Sequence, residues 1–238
     1  MSDQYIALYT NKENTSIWVH RVEIAFAEVG VKPVVGFVDL QNKPEWFTTV
    51  VNPFTKEVPT IAYGGPNVPA DQPSSESVKL TESRVLLEFL ADIYPEAKLL
   101  PTDPVQRAKA RFFIEKIHNT LFQSWVTFHV RKGTKEDFYA GLEVMQSLLP
   151  ETGFAAGEWS IAEAAIAPQF GRVLVRLRED FGSWEKGLGP EMYKDIVEGE
   201  RFARWMRYWR DIEARESWKK TWNDAAFVEY TGKKYARS

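Results

Sequence analysis

With 238 residues, 44% hydrophobic and 26% charged, the chain has an ordinary folded-protein composition, long enough for one large domain or two modest ones. Its formal net charge of −3 lacks the basic excess of a nucleic-acid-binding chain, and no apolar run is long enough to cross a bilayer. It holds no cysteine, which removes disulfides, thiolate metal sites and any cysteine nucleophile, so a thiol used in its chemistry must come from outside.

In chain order, Tyr5–Tyr9 reads as a short apolar strand, and the polar stretch Thr10–Thr15 breaks the pattern. No charged-then-apolar leader precedes it, so a cytoplasmic location is expected. From Ser16 a helix begins, with Ile17, Val22, Ala25, Phe26 and Val29 at helical spacing, and Gly30 and Pro33 stop it. Val34–Leu40 reads as a second strand, completing a βαβ unit whose crossover should be right-handed. After a short helix near Pro44–Val50 come strands at Val58–Tyr63 and Val78–Leu80, then an amphipathic helix from about Thr81 to Tyr94. The segment Gly64–Ser77, rich in Gly, Pro and Ser, is long for a hairpin loop and should be mobile or capped by something unusual. Beyond a linker at Pro101–Pro104, strand signals nearly vanish, and helices are predicted at about 104–131, 135–149, 160–179, 190–198 and 200–215. An α/β domain over residues 1–97 and an all-helical domain over 104–238 are therefore expected. The basic residues near the end (Lys219, Lys220, Lys233, Lys234, Arg237) read better as solvated surface than as a site for an anionic partner.

Taken singly, the motifs are bland. Pro59 in Val58-Pro59-Thr60 cannot donate to a sheet ladder and belongs at a strand start or edge; a cis bond there would let the backbone of Val58 pair with an extended peptide. Leu80-Thr81-Glu82-Ser83 joins a strand to a helix N-terminus, where free N–H groups favour a carboxylate, yet capping by Thr81 or Ser83 explains the same residues. Ser16, with Asn14 and Thr15 beside it, reads as a helix cap. Ser160-Ile161-Ala162-Glu163 is a capping box before an apolar helix. His20, His118 and His129 are too widely spaced to suggest a metal cluster, and no metal site is expected.

In this order, however, the segments resemble the glutathione transferase superfamily over nearly the whole chain. Ser16-Ile17-Trp18-Val19-His20-Arg21-Val22 is similar to that family's active-site segment, in which a catalytic serine or cysteine precedes an Arg-Val pair. Asn52-Pro53 through Val58-Pro59-Thr60 resembles its cis-proline region, and Glu82-Ser83 its γ-glutamyl-binding pair. Ser160–Glu163 resembles its helical-domain cap, with Glu163 where aspartate is usual, and Phe202–Trp205 through Ile212–Ser217 its final-helix signature. The Ser16 segment is most similar to the omega-like group of fungi, in members with serine replacing cysteine; Ile17 stands where the cysteine forms usually have proline, and the stretch from Asn52 to Val58 is slightly long.

The resemblance implies a thioredoxin-like domain followed by a helical bundle, a homodimer, and no cofactor beyond glutathione as cosubstrate. Ser16 would hydrogen-bond the glutathione sulfur, Val58 beside Pro59 would pair with the cysteinyl unit, Glu82 and Ser83 would hold the γ-glutamyl end, and Lys56 would reach the glycyl carboxylate. Without a cysteine at position 16 no mixed disulfide with glutathione can form, so conjugation to hydrophobic electrophiles is expected rather than thiol reduction. Phe122, Trp125 and Phe128, on an aromatic-rich helix, are candidate acceptor-pocket residues, although aromatics at helical spacing are more often core. The overall aromatic content of 14% suits planar, polyphenol-like ligands by stacking. A non-catalytic ligand carrier of the same fold fits too; an interaction module would usually need further domains.

Overall fold

The structure, a computed structural model, describes residues 4–11 and 15–235. The chain divides into two compact units, Met1–Leu99 and Leu100–Ser238.

The first unit is a four-stranded mixed sheet with helices. Strand β1 (Ile6–Thr10) is buried at all its residues, as its continuous apolar run requires of a central strand. Helix α1 (Ile17–Val29) follows and ends at Gly30, whose φ of 73° is the left-handed conformation that glycine adopts at a helix terminus. Strand β2 (Val34–Phe37) pairs parallel to β1, with Ala7 opposite Val34, so the βαβ unit is present; it is shorter than its apolar run suggests, because the chain leaves the ladder after Phe37. A π-helical turn over Phe47–Val51 stands where a short helix was expected. Strands β3 (Thr60–Tyr63) and β4 (Val78–Thr81) complete the order β2-β1-β3-β4, both added antiparallel, and helix α2 (Ser83–Ile93) packs beside α1.

The 64–77 segment is not a free loop. Val68 and Ala70 pack on the core cluster that holds Tyr9 and Phe47. The Tyr9 hydroxyl donates to the Ala70 carbonyl at 3.0 Å. At the base of the loop, the Lys79 ammonium donates to the carbonyls of Ser74 and Ser77. A hydrophobic patch and two polar ties thus replace secondary structure there.

The second unit is helical. Helices α3 (Pro104–Lys116) and α4 (Gln123–His129) are joined by a π-helical stretch, Ile117–Phe122, in one run. Helix α5 (Lys135–Ser147) starts from a Thr134–Asp137 capping box. Helix α6 (Ile161–Arg178) is buried along its length except at Arg176 and Arg178, and it carries Glu163, Gln169 and Arg172 inside with its apolar residues. Its Ser160–Glu163 capping box is formed, with the Glu163 carboxylate also accepting from the Ala155 N–H at 2.9 Å and the Tyr208 hydroxyl at 3.1 Å. At Gly171 a Cβ would lie 2.5 Å from the Trp218 ring, so glycine there admits the indole onto α6. Helices α7 (Leu188–Glu198) and α8 (Ala203–Glu213) follow. Two more, α9 (Glu216–Thr221) and α10 (Asp224–Tyr235), extend the unit beyond the last predicted helix. Lys219, Lys220, Lys233 and Lys234 are exposed on them; Arg237 lies outside the described residues. No helix among the described residues is long and apolar enough to cross a membrane.

Candidate functional site

Three separate segments converge because of strand direction. Ser16 follows the C-terminal end of β1, the Val58–Pro59 pair precedes the N-terminal end of β3, and Glu82–Ser83 follows the C-terminal end of β4. Both β1 and β4 run antiparallel to β3, with Tyr9 opposite Thr60 and Thr60 opposite Thr81. All three segments therefore lie at one end of the sheet. The Val58–Pro59 bond is cis, and Pro59 sits just before its strand, where its missing N–H costs no ladder bond.

Ser16 is the N-cap of α1. Its extended backbone (φ −71°, ψ 121°) lets the side-chain oxygen accept from the Val19 N–H at 3.3 Å. The capping bond uses only a lone pair, so the hydroxyl proton remains available to donate at the positive end of the helix. Thr15 takes no capping role; its Oγ1 accepts from the Asn11 side-chain amide at 3.3 Å, while Asn14 lies outside the described residues.

At the start of α2 the cap expected from Thr81 or Ser83 is absent. Glu82 occupies the N-cap position, with φ 72° and ψ 106°, and its side chain makes no capping bond. Thr81 is drawn away by the Asn52 amide at 3.4 Å and the Pro59 carbonyl at 3.5 Å. The Ser83 hydroxyl instead accepts from Arg21 Nη1 at 3.4 Å. A helix N-terminus, with its N–H groups directed outward, is where an anionic ligand group is favoured.

Two side chains that sequence reasoning passed over tie this end of the sheet together. Asn52, buried at 2% exposure, points its amide nitrogen at Thr55 Oγ1 (2.7 Å), the Glu57 carbonyl (3.0 Å), Thr60 Oγ1 (3.3 Å) and Thr81 Oγ1 (3.4 Å). It thereby fixes the loop that carries Lys56, Val58 and Pro59 to β4 at its last residue, Thr81. Lys56 itself is exposed, with a left-handed backbone (φ 58°). Arg21, one turn and a half after Ser16, is buried, stacks on Trp18 at 4.6 Å and reaches Ser83, so it joins α1 to α2. Burial, and then the charge of Arg84, lower its pKa to about 9. The partners of Asn52 are up to 29 positions away in the chain, so no local spacing reveals them.

The aromatic candidates belong to the helical unit. Trp125 and Phe128 are buried, packed edge-on and stacked against Phe138 and Trp184. Phe122 is half-buried and stacks on His118, centroids 5.6 Å apart. His129 stacks on Trp125, and its Nε2 lies 3.0 Å from the Tyr235 hydroxyl. Among the described residues no group of three or more His, Cys, Asp or Glu could hold a metal ion.

Residues 15–93 match the family model described as "Glutathione S-transferase, N-terminal domain". A "Probable glutathione S-transferase" of Nicotiana tabacum is 30% identical over 198 residues, which cover 81% of this chain and 77% of the relative. The crystal structure of glutathione transferase Omega 2C from Trametes versicolor superimposes with a TM-score of 0.93 at 45% identity, over 98% of this chain and 99% of that one. Glutathione transferase Omega 2S from the same organism, in complex with 2,4-dihydroxybenzophenone, matches with a TM-score of 0.89 at 43% identity, over 98% of this chain and 100% of that one.

Proposed function

Since the chain belongs to the glutathione transferase superfamily and is of its omega-like type, we propose that this glutathione transferase activates the thiol of glutathione with Ser16 and conjugates it to small hydrophobic electrophiles. The observation that supports this reading best is the meeting of Ser16, Val58–Pro59 and Glu82–Ser83 at one end of the sheet.

The tripeptide lies along that end. Its cysteinyl backbone pairs with Val58, its γ-glutamyl group sits at Glu82, Ser83 and the uncapped N–H groups of α2, and Lys56 reaches the glycyl carboxylate. The sulfur then faces the Ser16 hydroxyl. An ordinary thiol has a pKa of about 8.5, so little is thiolate at neutral pH. Lowering it by ~2 units takes about 2.7 kcal/mol of preference for the anion. One charge-assisted hydrogen bond supplies roughly 1.5–3 kcal/mol and the helix N-terminus about 0.3–1 kcal/mol. The two suffice without a general base. The thiol proton passes to water, and the thiolate sulfur bonds to the electrophilic carbon. Either a leaving group departs with the pair of its broken bond or, in an addition, a π pair shifts to the neighbouring atom and is protonated by water; the serine stays unmodified.

Ser16→Ala tests the assignment. The variant is expected to remain folded and to lose at least tenfold in conjugation, with the ultraviolet absorbance of bound thiolate falling in parallel. Unchanged turnover would remove Ser16 from its role. Storage of planar aromatic compounds is the second activity we read here. The benzophenone bound by the Trametes versicolor relative supports it, as does the aromatic density of the helical unit. A homodimer is the proposed assembly.

A further inference from the structure

Away from the sheet, the helical unit has a pocket beside helix α8. Helix α8 turns its apolar face, Trp205, Met206, Tyr208, Trp209 and Ile212, to the core. The opposite face lines an open pocket of about 240 Å³ with Arg204, Arg207 and Arg210, spaced at successive turns with the last two exposed, and the turn Glu151-Thr152-Gly153 and Asp211 complete its wall.

The arginines are not spent on carboxylates as others in this unit are. Arg201 pairs with Glu143 at 2.7 Å and Glu136 at 3.0 Å, and Arg178 with Glu179 at 2.7 Å and Asp224 at 2.8 Å. Among the described residues Arg207 and Arg210 make no side-chain hydrogen bond or close salt bridge, although the Arg210 charge also acts on the Glu213 carboxylate and Asp211 and Glu151 line the same pocket. Arg204 is half-buried and committed on one edge only: Nε donates to the Pro150 carbonyl and Nη2 to the Gly153 carbonyl, both at 2.7 Å. Those bonds fix the lip of the cavity and leave the Nη1 edge without an acceptor. Gly153, with φ 77°, gives the lip its shape; a Cβ there would come within 2.8 Å of the Gly157 carbonyl. Burial first, and then the neighbouring Arg207, lower the pKa of Arg204, and Asp211 offsets part of this; a bound anion would add to that offset.

We infer that this cavity binds a small organic phosphate. Guanidinium forks match phosphate oxygens in geometry and charge, and the arginine stems supply apolar wall for an organic substituent. At about 30 Å³ per water, the volume holds a phosphate group and a ring-sized substituent. The site does not depend on the glutathione reading.

Phenyl phosphate is the probe. Calorimetric titration of the full chain, without glutathione, is expected to show saturable binding in the millimolar range or tighter, weakened by salt and by competing inorganic phosphate. The double variant Arg207→Gln/Arg210→Gln spares the lip-holding Arg204 and should bind at least tenfold more weakly, with an unchanged melting temperature and turnover of glutathione within twofold of the parent. Asp211→Asn removes a rim charge and should tighten binding about two- to threefold. Phenol, the neutral comparator, should not compete. Absence of saturable phenyl phosphate binding, equal binding by the double variant, or displacement by phenol overturns the inference. If the double variant does not fold, Asp211→Asn decides alone: unchanged or weaker binding counts against the site.

Discussion

At the scale of single residues, Ser16 and Asn52 have different duties. The Ser16 oxygen accepts from the backbone of α1 while its proton stays free, so one side chain can cap the helix and face a ligand. Ser16→Ala should therefore also lower stability by about 1 kcal/mol, the usual cost of losing a serine cap, seen as a modest fall in melting temperature. Asn52 acts through others. Its amide holds the 52–60 loop and Thr81 together from a buried position, so Asn52→Ala leaves several polar groups without their partner. The expected outcome is a rise of at least fivefold in the KM for glutathione with kcat within about twofold. Steady-state kinetics at saturating electrophile checks it.

At the scale of elements, the last helix is held by a polar contact whose charge state matters. Arg176 Nη1 donates to the Tyr235 hydroxyl at 2.8 Å, so the hydroxyl can donate its own proton to His129 Nε2, which must be unprotonated to accept it. Burial first, then the charges of Arg176 and Lys234, lower the His129 pKa from 6.5 to about 4. A depressed histidine means that the unfolded chain binds the proton more readily. Stability from this contact is full above pH 6.5 and is lost as pH falls toward about 4. Hydrogen exchange of α10 should accelerate over that window. His129→Gln, which retains an acceptor but cannot titrate, should flatten the dependence.

At the scale of the whole molecule, the proposed homodimer can be tested at the apolar side chains that the surface leaves uncovered. In the first unit Phe54 is 91% exposed, and Val78 and Val85 are exposed as well; in the second, Val105 and Phe112 are. A homodimer that covered Phe54 would remove the most exposed of these apolar side chains from water. Analytical ultracentrifugation is expected to find a dimer, and Phe54→Asp to shift it toward monomer while the far-ultraviolet circular dichroism stays unchanged. A parent chain that sediments as a monomer at micromolar concentration counts against the homodimer.

Most of the succession of elements up to α8 was legible in the sequence by itself. Apolar runs, helical spacing and terminators such as Gly30 act over a few residues, so β1, α1, α2 and α6 were legible from local patterns. The capping box at Ser160–Glu163 was legible for the same reason. The final helices escaped: α10 has a weakly amphipathic sequence and is held by contacts such as Arg176 with Tyr235, far apart in the chain. Likewise the 64–77 segment looked loose because its restraints, Tyr9 and the Lys79 ammonium, lie outside it. Ser16, Val58, Pro59, Glu82 and Ser83 were readable as candidates through family likeness, but strand direction alone put their segments at one end of the sheet. The Asn52 and Arg21 ties, the uncapped start of α2 and the arginine cavity are tertiary facts. Each depends on side chains brought into reach by folding, and hydrogen bonds between distant positions leave no period in a sequence.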